Sequence, residues 1–389
     1  MSSGLLTGPA PVTASTPRRV SFVQSWIPQY RIAFFERAAT RLAEQGVRLD
    51  VLYGTPSPSM KERNDSRDLS WGHRLPTRRV PLGRDTFVEL RRSPRSVVTS
   101  DLVIVDQAIR NPGTYAHLMR ARLGGPRLAL WGHGRTYTKP HSRPATMLKE
   151  WLTGRADWFF AYTPGGAAHI RDRGFPAERI TIVQNSADMS GLTTARAALD
   201  QAQVEAFMAE HRLQPGRTAL FIGGLDACKR LDLLIAAGRR IRELVPGFTL
   251  IVIGDGAQRW LVQSVAEEGW LTYLGPRFDG DKALAAAASS LMLMPGRVGL
   301  SIVDSFALQL PMFSVQWPYH APEFEYLSSG DNGIVTADDV HAYADAVAAH
   351  LVDGQALSRL VAGCRRSAQT YTLSAMVDNF CAGVLAALA

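Results

Sequence analysis

Cysteine is scarce in this chain: Cys228, Cys364 and Cys381 are three residues in 389, far apart and odd in number. That excludes a disulfide framework and a cysteine-based zinc site, and it fits a reducing, cytoplasmic setting. Long apolar runs are also missing. Each breaks off before the roughly 18 residues that a bilayer-spanning helix needs. The N-terminus, MSSGLLTGPAPVTASTPRR, has no basic start followed by an apolar stretch, so a secretion signal is not expected and residues 1–18 read as a disordered tail. No period of roughly 20–50 residues recurs with similar residues, which excludes a solenoid or propeller. No helix-turn-helix, RNA-binding signature or interleaved aromatic platform accompanies the basic residues, so no nucleic-acid partner is expected.

What is present describes a large globular protein. With 389 residues the chain exceeds the roughly 250–300 at which single cores stop growing, so two domains are expected. Hydrophobic residues make up 46% and charged residues 20%, a composition that can bury both cores. The net charge of +8 is unevenly spread: between Arg74 and Arg95 seven arginines stand against Asp85 and Glu89 alone. Such a segment is a candidate for peripheral contact with an anionic membrane, or for drawing in a negatively charged substrate.

From Val20 onward short β-branched runs alternate with longer amphipathic ones, the pattern of strand-and-helix units around a parallel sheet. Strands are expected at 20–24, 49–53, 102–105, 128–131, 158–162 and 180–183, with helices at 31–44, 115–123 and 146–152. Strand character fades over 186–215, where one polar helix, 199–210, is expected, and the pattern restarts at 218–222. Further strands follow at 248–253, 271–274, 290–294 and 312–315, with helices at 232–244, 258–268 and 281–289 and from Val340 onward. The fold class is therefore α/β, with two Rossmann-like doubly wound halves facing a central cleft: 19–190 on the acceptor side and 191–370 on the donor side. In open parallel sheets ligands sit beyond the carboxyl ends of the strands, so the site belongs in that cleft.

Residues 295–311, PGRVGLSIVDSFALQLP, place a glycine-bearing turn between an apolar strand and a helix with one acid, Asp304. Backbone N–H groups of Val298, Gly299 and Leu300 would point at anionic or hydroxyl oxygens, and Asp304 would lie beside a ribose. The restart FIGGLDACKR (221–230) ends a strand in Gly223 and Gly224 and follows with Lys229, whose ammonium suits a diphosphate. The next strand ends IGDG, with Gly254 at the corner, which lacks a full dinucleotide fingerprint. In the first half, WGHGR (131–135) puts His133 between two glycines at a strand end, where it can hydrogen-bond a sugar hydroxyl. IPQYR (27–31) offers Gln29, Tyr30 and Arg31 as candidate acceptor contacts. No metal site and no cofactor are expected, because the one Asp-x-Asp pair, Asp279 and Asp281, opens a helix away from the diphosphate position.

These motifs, in this order, resemble those of glycosyltransferase family 4, the retaining GT-B enzymes. The stretch 221–237 is similar to the family's FxGRLxxxKxxDxLxxA, 251–256 to its IxGxG strand, NSAD at 185–188 to its NGxD segment, and 295–311 to its glycine loop and acidic helix. The resemblance implies that Lys229 holds the donor diphosphate, Asp304 binds the ribose, the 298–300 amides hold sugar or phosphate, and His133 touches the transferred sugar. It also implies that the base lies near Arg277 and Phe278, and that residues 371–389 form a helix crossing back to the first domain. Two departures stand out. The family arginine before Leu225 is Gly224, and the first of two paired glutamates is Gly296. The opening strand is followed by Pro28 to Arg31 in place of a double-glycine loop.

The expected activity is transfer of a sugar from a UDP- or GDP-type donor to an acceptor hydroxyl, in glycan, glycolipid or natural-product synthesis, with retention and without a metal. The rivals are a sugar-nucleotide 2-epimerase of the same architecture and a non-catalytic nucleotide-sugar-binding protein, the latter suggested by Gly224 and Gly296.

Overall fold

The computed structural model describes residues 17–56, 66–83, 86–137 and 142–389. The tail expected at the N-terminus lies, up to residue 16, outside the described residues, as do Arg84 and Asp85 of the arginine-rich segment. Strands β1 (Arg18–Gln24), β2 (Val47–Tyr53), β3 (His73–Arg74), the hairpin pair β4 (Thr77–Gly83) and β5 (Thr86–Arg91), then β6 (Leu102–Asp106), β7 (Arg127–Gly132), β8 (Trp158–Ala161) and β9 (Ile180–Ile182) belong to the first half. All but the hairpin form one parallel sheet in the order β3-β2-β1-β6-β7-β8-β9. The second half holds β10 (Thr218–Ile222), β11 (Thr249–Ile253), β12 (Leu271–Gly275), β13 (Leu291–Leu293), β14 (Met312–Val315) and β15 (Gly333–Thr336), parallel in the order β12-β11-β10-β13-β14-β15. Strands such as Thr218–Ile222 are buried along their whole length, the reason they read as unbroken apolar runs.

The helices are α1 (Ile32–Ala43), α2 (Arg95–Val98), α3 (Pro112–Arg122), α4 (Arg143–Thr153), α5 (Pro164–Arg171), α6 (Ser190–Ala197), α7 (Gln201–Glu210), α8 (Leu231–Leu244), α9 (Arg259–Ala266), α10 (Asp279–Ala287), α11 (Ser301–Ala307), α12 (Val340–Val352), α13 (Gly354–Thr370) and α14 (Leu373–Leu388). Strand order reverses between β1 and β6 and again between β10 and β13. Each reversal leaves a crevice beyond the carboxyl ends of its strands, and in the two halves those ends carry the 27–31, 223–230 and 295–300 segments.

In the first half α2 to α5 cover one sheet face, with Leu118, Leu152 and Ile170 packed on Val103, Leu128 and Phe159. The other face is covered by α1 together with α14, the last helix of the chain. Phe380 of α14 meets Phe34 and Phe160 at ring-centroid distances of 5.2 Å each, within a cluster that includes Phe22 and Trp131. Arg18 and Arg127 donate to the carbonyls of Leu388 and Ala387 at 2.7 and 2.6 Å, closing the carboxyl end of that helix. Among the described residues the stretch Gly354–Leu388 is long and apolar enough to cross a membrane by composition, and half of its apolar window is buried against the protein's own core.

The expected α/β architecture is what the structure has, with further elements the periodicity does not show, among them the short strand β3, the one-turn helix α2 and α6, a second helix in the 186–215 stretch where one is expected. The hairpin β4–β5 lies in the arginine-rich stretch, where Arg79 pairs with Glu89 at 3.1 Å and the Arg91 side chain is buried beside the same carboxylate. Strand β15 is an edge strand of four residues. Helix α5 opens Pro-Gly-Gly, which reads as a loop; Thr163 caps it, and a side chain at Gly166 would press into the backbone oxygen of His133 at 2.6 Å. The absence of side chains there permits close packing of helix on loop. Replacing Phe380 by alanine should cost about 3–5 kcal/mol of stability through the cavity left in the aromatic cluster, read as a lower midpoint in urea.

Candidate active site

On the donor side, β10 and β11 end in glycines that touch. Gly254 has φ +146°, and a side chain on it would overlap the carbonyl oxygen of Gly223. Gly223 in turn leaves room for Lys229, whose Cε and Nζ would lie 3.4 and 3.7 Å from a methyl group placed on it. Lys229 ends a single helical turn, and the next residue, Arg230, takes the left-handed conformation (φ 53°), held by Asp338 at 2.6 Å and by the face of Trp317. The Lys229 ammonium donates to the Arg297 carbonyl at 2.5 Å. Burial pushes its pKa down to about 8, with Arg297 adding repulsion and Cys228, Asp226 and Asp304 opposing.

The 295–300 loop is locked onto that lysine. A side chain on Gly296 would overlap the Lys229 backbone, and Arg297 N–H donates to the Cys228 carbonyl at 2.8 Å. The glycine that replaces the family's first glutamate is therefore required by contact. The three amides proposed for the donor divide. Val298 is buried and its N–H donates to His320 Nδ1 at 3.1 Å, while His320 Nε2 donates to the Val315 carbonyl at 2.8 Å. Val298 is thus removed from the set of ligand donors, because its hydrogen is already used. The N–H groups of Gly299 and Leu300 have no partner among the described residues and remain available. Asp304 follows on α11, half-buried, and desolvation raises its pKa to about 6; Asp279 adds to this, while Lys282 and Lys229 oppose it.

Across the cleft, His133 sits at the end of β7 with its ring edge on Tyr162 (4.7 Å between centroids) and Tyr137 (5.8 Å). Burial lowers its pKa to about 4, reinforced by Lys149, by Arg297 from the opposite lobe and by Arg31, so the imidazole is neutral at physiological pH. Gln29 and Tyr30 are exposed at the rim. Arg31 is not: it is 2% exposed, bonds the Asn185 side chain and the Ser186 carbonyl (3.3 Å), and lies within 5.0–5.8 Å of the Tyr30, Tyr162, Phe34 and Trp131 ring centres. Its donors are committed, which makes Arg31 a brace for the cleft wall and corrects its assignment as an acceptor contact.

Arg277 and Phe278 stand at the end of β12 on the solvent side, Phe278 84% exposed and Arg277 facing Asp281 at 3.7 Å. Their strand joins the donor corner through Gly254 N–H and the Gly275 carbonyl, 3.0 Å apart. Gly224 has the Asp226 carboxylate 3.1 Å, and the Asp255 carbonyl 4.0 Å, from where a side chain would begin. Two residues absent from the sequence reading enter here. Arg297 lies in the glycine loop with its carbonyl on the Lys229 ammonium, and its charge acts on His133, Lys229 and Glu323, a second cation where Gly224 supplies none. Glu323 is 4% exposed, takes a hydrogen bond from Asn185, and has its other oxygen 4.0 Å from a methyl group placed on Gly299. It lies in the short helical turn Pro322–Tyr326 that follows β14, and no motif in the sequence marks it. Among the described residues no group of three or more His, Cys, Asp or Glu side chains gathers as a metal site.

Two sheet-and-helix lobes with a lysine, free amides and a half-buried acid on one lip and a neutral histidine on the other define a glycosyltransferase of GT-B architecture. Residues 34–190 match the family model described as Glycosyltransferase Family 4, and residues 216–353 match the model described as Glycosyl transferases group 1. The chain belongs to the family 4 glycosyltransferases. Solved structures with this fold include HepE from Anabaena in complex with UDP, with a TM-score of 0.69, 14% identity and coverage of 95% of this chain and 99% of that one. The lipopolysaccharide outer core galactosyltransferase WaaB gives 0.64 and 13% over 95% and 99%. Sucrose-phosphate synthase from Thermosynechococcus elongatus gives 0.63 and 14% over 93% and 97%. At these identities the likeness is one of fold. No curated protein matches the sequence.

Gly296→Ala should force the loop off Lys229, lowering stability by about 1–3 kcal/mol and shrinking the rise in melting temperature that UDP produces. An alanine variant that melts and responds to UDP like the parent would show that the contact is not needed.

Proposed function

We propose that this glycosyltransferase moves a sugar from a UDP-type donor to an acceptor hydroxyl with retention at the anomeric carbon and without a metal. The observation that carries the reading is the convergence of Lys229, the free Gly299 and Leu300 amides and half-buried Asp304 on one lip of the cleft. UDP is favoured because HepE, of the same fold, was solved with it. The diphosphate would rest on the Lys229 ammonium and the two amides, the ribose hydroxyls would donate to Asp304, and the base would lie along the strand end at Arg277 and Phe278.

As the bond between the anomeric carbon and the phosphate oxygen lengthens, charge builds on the leaving diphosphate. Lys229, Arg297 and the amides offset that charge inside a cleft with little water, where fixed donors act most strongly. They fill the part a divalent cation plays elsewhere. Gly224 leaves a gap that Arg297 covers from the neighbouring loop. Gly296 leaves the donor sugar without the family's carboxylate, and Glu323, reaching the same loop from β14, takes that place as acceptor of sugar hydroxyls. His133, neutral, hydrogen-bonds the sugar from the other lip.

Lys229→Ala should lower kcat/KM by about 10²-fold, equivalent to roughly 3 kcal/mol of transition-state stabilisation. Glu323→Gln should change the ranking of UDP-sugars by KM, with UDP affinity itself held within about twofold. Either variant behaving like the parent with every donor tested would remove that residue from the mechanism. The assay is release of UDP from a panel of UDP-sugars with and without hydroxyl acceptors, and the anomeric configuration of the product is read by NMR. Epimerised donor without acceptor would favour the 2-epimerase.

The two perturbed groups set a pH window for donor binding. Lys229 is charged below about 8, and above that pH binding requires uptake of a proton, so affinity for a UDP-sugar falls. Asp304 accepts ribose hydroxyls more strongly when ionised, so affinity also falls below about 6. Calorimetric titration should show a plateau between those values, with Asp304→Asn flattening the acid limb and Lys229→Ala the alkaline one. In the free enzyme the raised Asp304 pKa has the opposite sign for stability: its contribution is fully present below the ordinary carboxylate pKa and is lost as pH rises through about 6.

A further inference from the structure

The face of the first domain formed by α3, α4 and α5 carries features that the donor site does not use. Between α4 and α5, directly beyond the residue after His133, lies a cavity of about 440 Å³. Its walls bring together Arg135, Lys149, His169 and Arg173 with the hydroxyls of Thr136 and Thr146. The carboxylate there, Glu150, pairs with Arg173, and among the described residues Arg135 and Lys149 make no ion pair. Lys149 reaches Thr136 Oγ1 at 3.4 Å, and burial lowers its pKa to about 8, so it is cationic at neutral pH in a half-enclosed position. Lys149 also acts on His133, which places the cavity next to the reacting end of the cleft.

The outer surface beside this cavity is apolar where solvent-facing helices are normally polar. On α4, Met147, Leu148 and Trp151 are 68%, 40% and 43% exposed; on α3, Met119 is 60% exposed, and Leu123 just after it 81%. The two helices lie on one sheet face and meet at their carboxyl ends, where Arg122 donates to the Arg155 carbonyl at 3.3 Å and Arg155 lies over the Trp151 ring at 4.2 Å. The hairpin β4–β5 abuts the start of α3 and adds exposed Arg78 and Arg92. Exposed apolar side chains, a tryptophan among them, with Arg122 and Arg155 at one end of the helices and Arg78 and Arg92 near the start of α3, match a bilayer whose interface is anionic.

Resting on the transferase reading above, we propose that this face docks on an anionic lipid surface and that the α4–α5 cavity receives a headgroup phosphate, so that the acceptor is a hydroxyl borne by a phosphate-bearing lipid. Met147, Leu148, Trp151, Met119 and Leu123 enter the interface, the arginines meet the surrounding charge, and the cavity holds the phosphate within reach of the His133 lip. The basic hairpin becomes the margin of the docking face, since Arg79 and Arg91 are spent on Glu89 and Arg74 faces Asp68 at 3.5 Å.

The test is sedimentation of the full chain with vesicles of phosphatidylcholine alone and of phosphatidylcholine with phosphatidylglycerol. The expected result is strong partitioning to the anionic vesicles, weakened by salt. Leu148→Glu with Trp151→Glu should cut it at least tenfold, and Met119→Glu with Leu123→Glu should act in the same direction. Lys149→Ala should lower it about fivefold, the effect of one cation near the surface. Equal binding to both vesicle types, or glutamate variants that partition like the parent, would overturn the proposal. So would submillimolar binding of inorganic phosphate by a protein that ignores vesicles, which would assign the cavity to a soluble anion. The rise in melting temperature with UDP, measured on the same samples, separates the two readings: UDP response without vesicle binding sinks docking alone, and vesicle binding without UDP response sinks the transferase reading alone.

Discussion

Where Gly296 passes the backbone of Lys229 there is no room even for a methyl group, and the donor side of the cleft follows from that contact. It brings the carbonyl of Arg297 onto the lysine ammonium and fixes the following turn so that Gly299 and Leu300 present free amides. The same crowding at Gly254 and Gly223 sets the neighbouring strand end. Hydrogen-bond donors are thus gathered by backbone packing, and Lys229 and Arg297 add side-chain charge beside them. Preorganisation of this kind is what lets fixed dipoles stabilise a leaving group more than water does.

A second buried constraint joins the lobes. Arg31 from the first domain bonds Asn185, Asn185 bonds Glu323 of the second, and Tyr326 donates to the Asn185 carbonyl at 3.1 Å. Glu325 completes the seam by accepting from Gly165 N–H at 2.7 Å. Breaking a buried charged network by removing one member is expensive, so these side chains hold the two lips in one register. The network explains why a positively charged residue beside the cleft turned out to be structural: Arg31 is held by Asn185, which also bonds Glu323, and its charge offsets part of the burial of that carboxylate.

Much of this was readable before any coordinates. Parallel strands advertise themselves as buried β-branched runs, and the glycine corners, Lys229 and Asp304 could be placed because they fall where such strands end. Val298 could not be sorted from Gly299 and Leu300, because its loss as a donor depends on His320, 22 residues away and brought near only by the return of the chain after β14. Glu323 was silent for a similar reason, its partner Asn185 being 138 residues distant. Arg31 carries the same letter whether it grips a ligand or a cage of rings. Helix α5 escaped notice because Gly165 and Gly166 weaken a helix by propensity, while here Gly166 lets the His133 backbone come close and Gly165 makes room for the Glu325 carboxylate.

The return of α14 to the first domain has a temporal side. Ribosomal synthesis delivers the β1–β9 sheet early, yet the aromatic face on Phe22, Phe34 and Trp131 stays uncovered until residues 373–388 have emerged. The second domain, whose strands and helices are contiguous from 190 to 370, can close its own core meanwhile. The core of the first domain therefore waits for a segment made after the whole second domain, and until then its apolar sheet face is unfinished.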